Sequence, residues 1–278
     1  MPNSHKLLND PFVNKPECVI DLPPGLLSQQ KMEECRTISG LAIVEMAGRD
    51  SVAAAVKSVE DKDFTDLLPT YVYTGTEHGP WSSVTAAVER MKKRLPAINI
   101  QDLLVIGSPG FWQALNGRFI SELINRYGFY TPCIGCHLYL HSIRIPLAVA
   151  LGNVPIIAGE RERHNGNAKI NQAAKALDGY QDLAEHFGVS LLLPLRHIAE
   201  GNRIEKILGF HWQEGQEQLG CVLSGNYKCL NSDRNIKVDQ IVRYLHEFAL
   251  PFTRQIITSY IEGHVPNHHE IAAELLAS

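Results

Sequence analysis

The 278-residue chain carries no excess of positive charge: 26 Lys and Arg stand against 30 Asp and Glu, for a net charge of −4 and a pI near 6.3. No basic field therefore advertises nucleic-acid binding, although a local patch can hide inside an acidic total. The opening residues, MPNSHKLLNDPFVNKPEC, lack the apolar stretch of a secretory signal. Apolar runs such as Pro146 to Leu151 fall short of the ~20 residues that span a bilayer. A cytoplasmic protein with no membrane partner is the expectation. Repeats and low-complexity segments are absent as well. Six cysteines in a chain of this length make no disulfide framework; in a reducing compartment they are thiols or ligands. What is present is ordinary for a globular chain with a core, 45% hydrophobic and 20% charged.

Residues 1–39, with Pro11, Pro16, Pro23 and Pro24, are expected as an irregular lead-in. From Gly40 short apolar runs alternate with helical patterns, as in βαβ units with a parallel sheet. Strands are expected at Leu41–Met46, Thr70–Thr74, Asp102–Gly107, Val154–Gly159 and Ser190–Pro194, all short and apolar like strands buried on both faces. Helices are expected at Val52–Val59, Ser82–Arg94, Phe119–Tyr127, Leu138–Leu151 (split or kinked by Pro146) and Asn167–Phe187. After Leu195 the alternation stops; residues 236–263 form an amphipathic helix interrupted at Pro251, and Asn267 caps His268–Leu276. The fold class is α/β: an open parallel sheet of about five strands with helices on both faces. It occupies residues 40–200, and a loop and helical extension fills 201–278.

The chemistry-bearing stretch is TPCIGCHLYLH, residues 131–141. The Cys133–Cys136 spacing serves c-type haem, zinc, iron–sulfur clusters and redox dithiols alike. Haem attachment is disfavoured because it normally needs export. Cys18 and Cys35 stand alone, whereas Cys221 and Cys229 lie in a Gly-containing polar loop and offer a third ligand. His264, His268 and His269, on a polar tail, receive no role.

The turn Met46-Ala47-Gly48-Arg49-Asp50-Ser51 runs straight from strand to Ala-rich helix. Its small residues admit a bulky anion, and a helix starting near Ser51 points free N–H groups at the same place. Asp50 and Ser51 would also serve as plain caps. The turn fits neither the Rossmann nor the Walker fingerprint. It resembles the S-G-G-x-D-S loop of the PP-loop ATP pyrophosphatases, the adenine nucleotide alpha-hydrolase-like superfamily, with Met46 in place of Ser and Ala47 in place of the first Gly. Further landmarks follow in that family's order: Pro132-Cys133-x-x-Cys136-His137, then Ile156-Ile157-Ala158-Gly159-Glu160, then Leu192-Leu193-Pro194-Leu195.

The resemblance implies an ATP-dependent, sulfurtransferase-like enzyme, similar to 2-thiocytidine synthetase. It would adenylate an acceptor carbonyl with loss of pyrophosphate and install sulfur from a donor, the acceptor being a tRNA base or a small molecule. Met46 to Ser51, Thr74, Gly107, Gly159, Arg161 and Arg163 would hold ATP. Asp50 would be catalytic, and Glu160 or Glu162 could help to hold the Mg²⁺ that accompanies ATP. Cys133, Cys136 and Cys229 would be catalytic. With Cys221, the same residues would offer ligands for a [4Fe–4S] cluster or for Zn²⁺. A persulfide-carrying pair and a pair of structural thiols remain open. Thiolates at a helix start are expected to have a lowered pKa, and His137 to be incidental, where relatives have Asn. Two other readings stand beside this one: a nucleotide- or metal-binding module that has lost turnover, and a nitrogen-transferring ligase. A homodimer is compatible with all three.

Overall fold

The computed structural model describes residues 27–213, 217–228 and 237–277. Its strands are β1 Leu41–Glu45, β2 Asp66–Val72, β3 Glu77–His78, β4 Asn99–Ile100, β5 Leu104–Ile106, β6 Ile156–Ile157, β7 Leu191–Leu192 and β8 Gly220–Cys221. The helices are α1 Gln29–Arg36, α2 Arg49–Asp61, α3 Ser82–Arg94, α4 Pro109–Asn116, α5 Ile120–Tyr127, α6 Pro132–Ser142, α7 Ile145–Ala150, α8 Ala174–His186, α9 Gly201–Leu208, α10 Val238–Tyr244, α11 Leu250–Ile261 and α12 His268–Ala277.

The main sheet is parallel throughout. β1 pairs β2 from Leu41↔Asp66 to Glu45↔Thr70 and, on its other side, β6 at Ile43↔Ile156. β7 extends the sheet beyond β6, while β4 and β5 share the position beyond β2. The break between β4 and β5 lies opposite Pro69. Leu67 O accepts from Gln101 N on that edge, so the proline two residues on faces the same edge with no N–H to give. The strand order is thus (β4/β5)–β2–β1–β6–β7. The chain winds outward in one direction from β1 and then in the other, which opens a crevice between the carboxyl ends of β1 and β6.

Alternation along β1 sends Leu41 and Ile43 into one core layer and Ala42 and Val44 into the other. The second layer is closed by α2, α3 and α9. Residues 52–56 of α2, Val-Ala-Ala-Ala-Val, are wholly buried, and such small side chains let the helix lie close on the sheet. The first layer is larger and takes α4, α6, α8 and the C-terminal helices. Residues 132–150 are apolar and long enough to cross a membrane by composition, but 78% of that window is buried inside the fold.

Several boundaries differ from the sequence reading. The lead-in contains a helix, α1, capped where Ser28 Oγ accepts from Lys31 N. Helix α6 starts at Pro132 rather than Leu138, since proline at the first helical position loses only an N–H that is unpaired there anyway. Both Cys133 and Cys136 are therefore helical. A turn at Ile143–Arg144, not Pro146 itself, ends α6; Pro146 then opens α7. At Pro251 the helix is not interrupted. A π turn over Leu245–Ala249 precedes it and widens the ladder, so the missing donor is accommodated.

Candidate functional site

The crevice holds a cavity of about 280 Å³. One wall is the turn between β1 and α2. Gly48 sits at the helix N-cap, and Ser51 Oγ accepts from Ala47 N at 3.0 Å, folding the turn back on the helix start. The Asp50 carboxylate is clamped by two guanidinium groups, Arg49 Nε on Oδ1 and Arg161 Nε on Oδ2, each at 2.8 Å. Arg161 is fully buried and also donates to Ile198 O and Ala199 O. Gly159 is a close-packing position: a Cβ there would lie 2.5 Å from the Asp50 carbonyl carbon and 2.7 Å from Ser51 N.

A second wall carries sulfur. Cys136 accepts from Trp112 Nε1 at 3.4 Å, and Cys133 Sγ lies 3.8 Å from Leu223 O as a donor. Cys221 arrives from 85 residues further along the chain than Cys136 because β8 pairs antiparallel with β3, at Glu77↔Cys221. Its Sγ is 3.3 Å from Thr76 Oγ1. Burial pushes the Cys133 and Cys136 thiols up to about 12, and the nearby Cys221 adds to both shifts. The lowered pKa expected of a helix start is not found. Desolvation outweighs the helix end, and no cation pairs with either sulfur, so both are protonated at neutral pH.

The floor is a charged network of which sequence reasoning singled out only Glu160. Glu45, the last residue of β1, contacts His141 Nδ1 at 2.7 Å and Arg144 Nη1 at 3.2 Å through its Oε1. Arg144 is buried; its Nε donates to Thr70 Oγ1 at 2.7 Å, and Nη1 reaches Leu140 O. Glu160 Oε1 lies 3.4 Å from His141 Nε2 and 2.7 Å from His137 Nδ1. Glu160 Oε2 accepts from Gln172 Nε2, and His137 Nε2 is 2.8 Å from Asn171 Nδ2. Burial alone would raise both carboxyls, yet Arg144 and His141 hold Glu45 below its ordinary range, and His137 and His141 hold Glu160 well below it. Burial would lower His141, but Glu45 and Glu160 bring it up to about 9. His137 is therefore not incidental. The available signal was the helical spacing: His137, His141 and Arg144 at i, i+4 and i+7 lie on one face of α6 and its exit turn.

Of the residues expected to hold ATP, Met46 to Ser51, Thr74 and Gly159 line the cavity, and Arg161 reaches it through Asp50. Gly107 and Arg163 do not line it. Gly107 leads into Ser108, whose N–H and hydroxyl are taken up by Tyr139 and Tyr260 on the helical side. Arg163 is carried out to solvent where the loop folds back at His164↔Asn167. Glu160 faces the cavity, whereas Glu162 is occupied by Arg196 at 2.7 Å. Among the cysteines, Cys136 and Cys221 line the cavity and Cys133 does not; Cys229 lies outside the described residues. Among the described residues, the one group of three metal-ligand atoms lying within 4.8 Å of one another is His137, His141 and Glu160. The three thiols are not drawn together as closely as that.

Fold and cavity together define a doubly wound α/β protein with a polar, cysteine-flanked site at its switch point. The chain is 40% identical over 241 residues to the uncharacterized protein MJ0009 of Methanocaldococcus jannaschii, across 85% of this chain and 86% of that one, and it belongs to the same family. No family model matches the chain.

Proposed function

We propose that the chain is an ATP-dependent, sulfurtransferase-like enzyme of the cytoplasm. In this reading the acceptor's carbonyl oxygen attacks the α-phosphorus of ATP and pyrophosphate leaves. A sulfur nucleophile from the donor then displaces AMP, turning C=O into C=S. The observation that carries it is the meeting, in one cavity, of an Ala-Gly-Arg-Asp-Ser turn at a helix N-terminus with Cys136 and Cys221.

The residues fit both groups that the reading needs. The N-terminus of α2, with Arg49 and Lys169 lining the same cavity, suits phosphate oxygens. Gln218 packs over Gly48, its Oε1 2.7 Å from where a Cβ would sit, and would have to move aside for a phosphate bound there. Cys133, Cys136 and Cys221 suit a site of soft ligands, each thiol giving up its proton on metal binding. A [4Fe–4S] centre on three thiolates would leave one iron able to carry sulfide. Trp112 would orient Cys136 through its indole N–H. The acceptor is a tRNA base or a small molecule.

One observation favours the second reading, nucleotide binding without turnover. Met46 is buried in the core where the PP-loop hydroxyl would stand, and Asp50 is neutralised by Arg49 and Arg161. Pyrophosphate release by anaerobically reconstituted protein, assayed with tRNA and with small carbonyl acceptors, separates the two. ATP-dependent release that needs Cys133 supports the sulfurtransferase. Tight ATP binding with no release supports the second reading. Release that survives Cys133→Ser points to a nitrogen-transferring ligase instead.

A further inference from the structure

The floor of the cavity has the organisation of a metal site separate from the cysteines. His141 Nε2 is buried without a hydrogen-bond partner and faces Glu160 Oε1 at 3.4 Å. His137 Nδ1 approaches the same oxygen at 2.7 Å. We propose that His137 Nδ1, His141 Nε2 and Glu160 Oε1 bind one divalent first-row transition-metal ion, with its remaining positions open to the cavity. The three atoms already lie within 4.8 Å of one another. An ion at ~2.0–2.2 Å from each nitrogen and oxygen needs them only slightly further apart than the shortest contact here.

Each ligand has an outer partner that fixes it. Glu45 accepts from His141 Nδ1 at 2.7 Å and so fixes the ring with Nε2 toward Glu160, where an ion would take the place of the Nε2 proton. Arg144 holds Glu45 in turn, at 3.2 Å. Gln172 occupies Glu160 Oε2, so Oε1 is the oxygen turned toward the two histidines. Asn171 is 2.8 Å from His137 Nε2; turned end for end, its amide accepts the Nε2 proton and releases Nδ1 to the ion.

Two imidazoles and one carboxylate suit Zn²⁺, Fe²⁺ or Co²⁺ rather than Mg²⁺ or Ca²⁺, which prefer all-oxygen sites. A metal with open positions there would polarise a carbonyl or lower the pKa of a bound water beside the anion-binding turn. The inference needs neither ATP nor sulfur chemistry.

The test is a Co²⁺ titration of the full, chelator-treated chain carrying Cys133→Ser, which breaks the cysteine set and leaves the floor intact. The expected result is one Co²⁺ per chain with weak visible bands of nitrogen and oxygen ligation and no intense thiolate charge-transfer band. His137→Gln and Glu160→Gln, each added to that background, should weaken binding by about tenfold or more. His137 is 27% exposed, so its variant keeps the fold and serves if the buried Glu160 change does not. Absence of Co²⁺ uptake by the Cys133→Ser chain, or uptake unaffected by His137→Gln, overturns the site and leaves the sulfurtransferase proposal standing.

Discussion

Arg144 is the side chain whose removal should cost most. Its guanidinium is buried between β2 and α6, where it holds Thr70 and Glu45. Arg144→Met leaves a buried carboxylate short of its cationic partner, a loss worth about 3–5 kcal/mol. Urea denaturation should show a lowered midpoint of that size; a change under ~1 kcal/mol would mean that the pair contributes little. Gly159→Ala tests the cavity wall at the same scale. Its methyl group would stand 2.5–2.7 Å from the backbone of Asp50 and Ser51, which must shift. An overpacking cost of about 1–3 kcal/mol is expected, with weaker ATP binding because the helix start is displaced. Isothermal titration beside thermal denaturation reads both. At this scale the sequence was only half legible. Asp50 and Gly159 stood out through their local motif, whereas Glu45 reads as the end of an apolar strand and becomes chemical only when α6 packs across it.

Among the elements, α6 and the β3–β8 ribbon do the assembling. The CxxC spacing was visible, but its placement inside a helix was not, because Pro132 reads as a breaker unless it is recognised as a first helical residue. The return of Cys221 rests on two residue pairs of backbone geometry and could not be read from spacing. Thr76 holds Cys221 Sγ at 3.3 Å, and Cys133 touches Leu223 O, so the ribbon and the cysteine helix brace one another. Elsewhere Arg196, after β7, links Glu162 with Asp178 of α8. Burial is the largest single influence on the Asp178 carboxyl and raises it, but Arg196 and Lys175 together outweigh it and hold it below its ordinary value. A depressed folded pKa gives stability that is present above the unfolded value, near 3.9, and lost as pH falls through the folded one. Arg196→Ala should therefore lower stability by about 1 kcal/mol at neutral pH, given the partial exposure of Asp178. The gap from the unsubstituted chain should narrow in acid. A gap that holds constant to pH 2 would assign the loss to packing alone.

For the whole molecule, the parallel sheet and its helices on both faces were legible because runs such as residues 41–44 are apolar at every position. Strand β2 was displaced in the reading, which began it at Thr70 rather than Asp66, since Pro69 within a run argues against a strand unless the neighbouring edge is broken. The winding order, from which the crevice follows, is set by pairings that no local pattern carries. That order places the β1 turn, the β6 turn and the sulfur-bearing helix around one cavity. In the proposed function, Cys133, Cys136 and Cys221 would act there as one set of ligands for sulfur chemistry. Iron and sulfide analysis with a visible spectrum, on anaerobically reconstituted chain and its Cys221→Ser variant, tests it most directly. The expected result is a brown protein with about four irons per chain, and loss of colour and iron in the variant. A colourless chain without iron, or a cluster indifferent to Cys221, would contradict it.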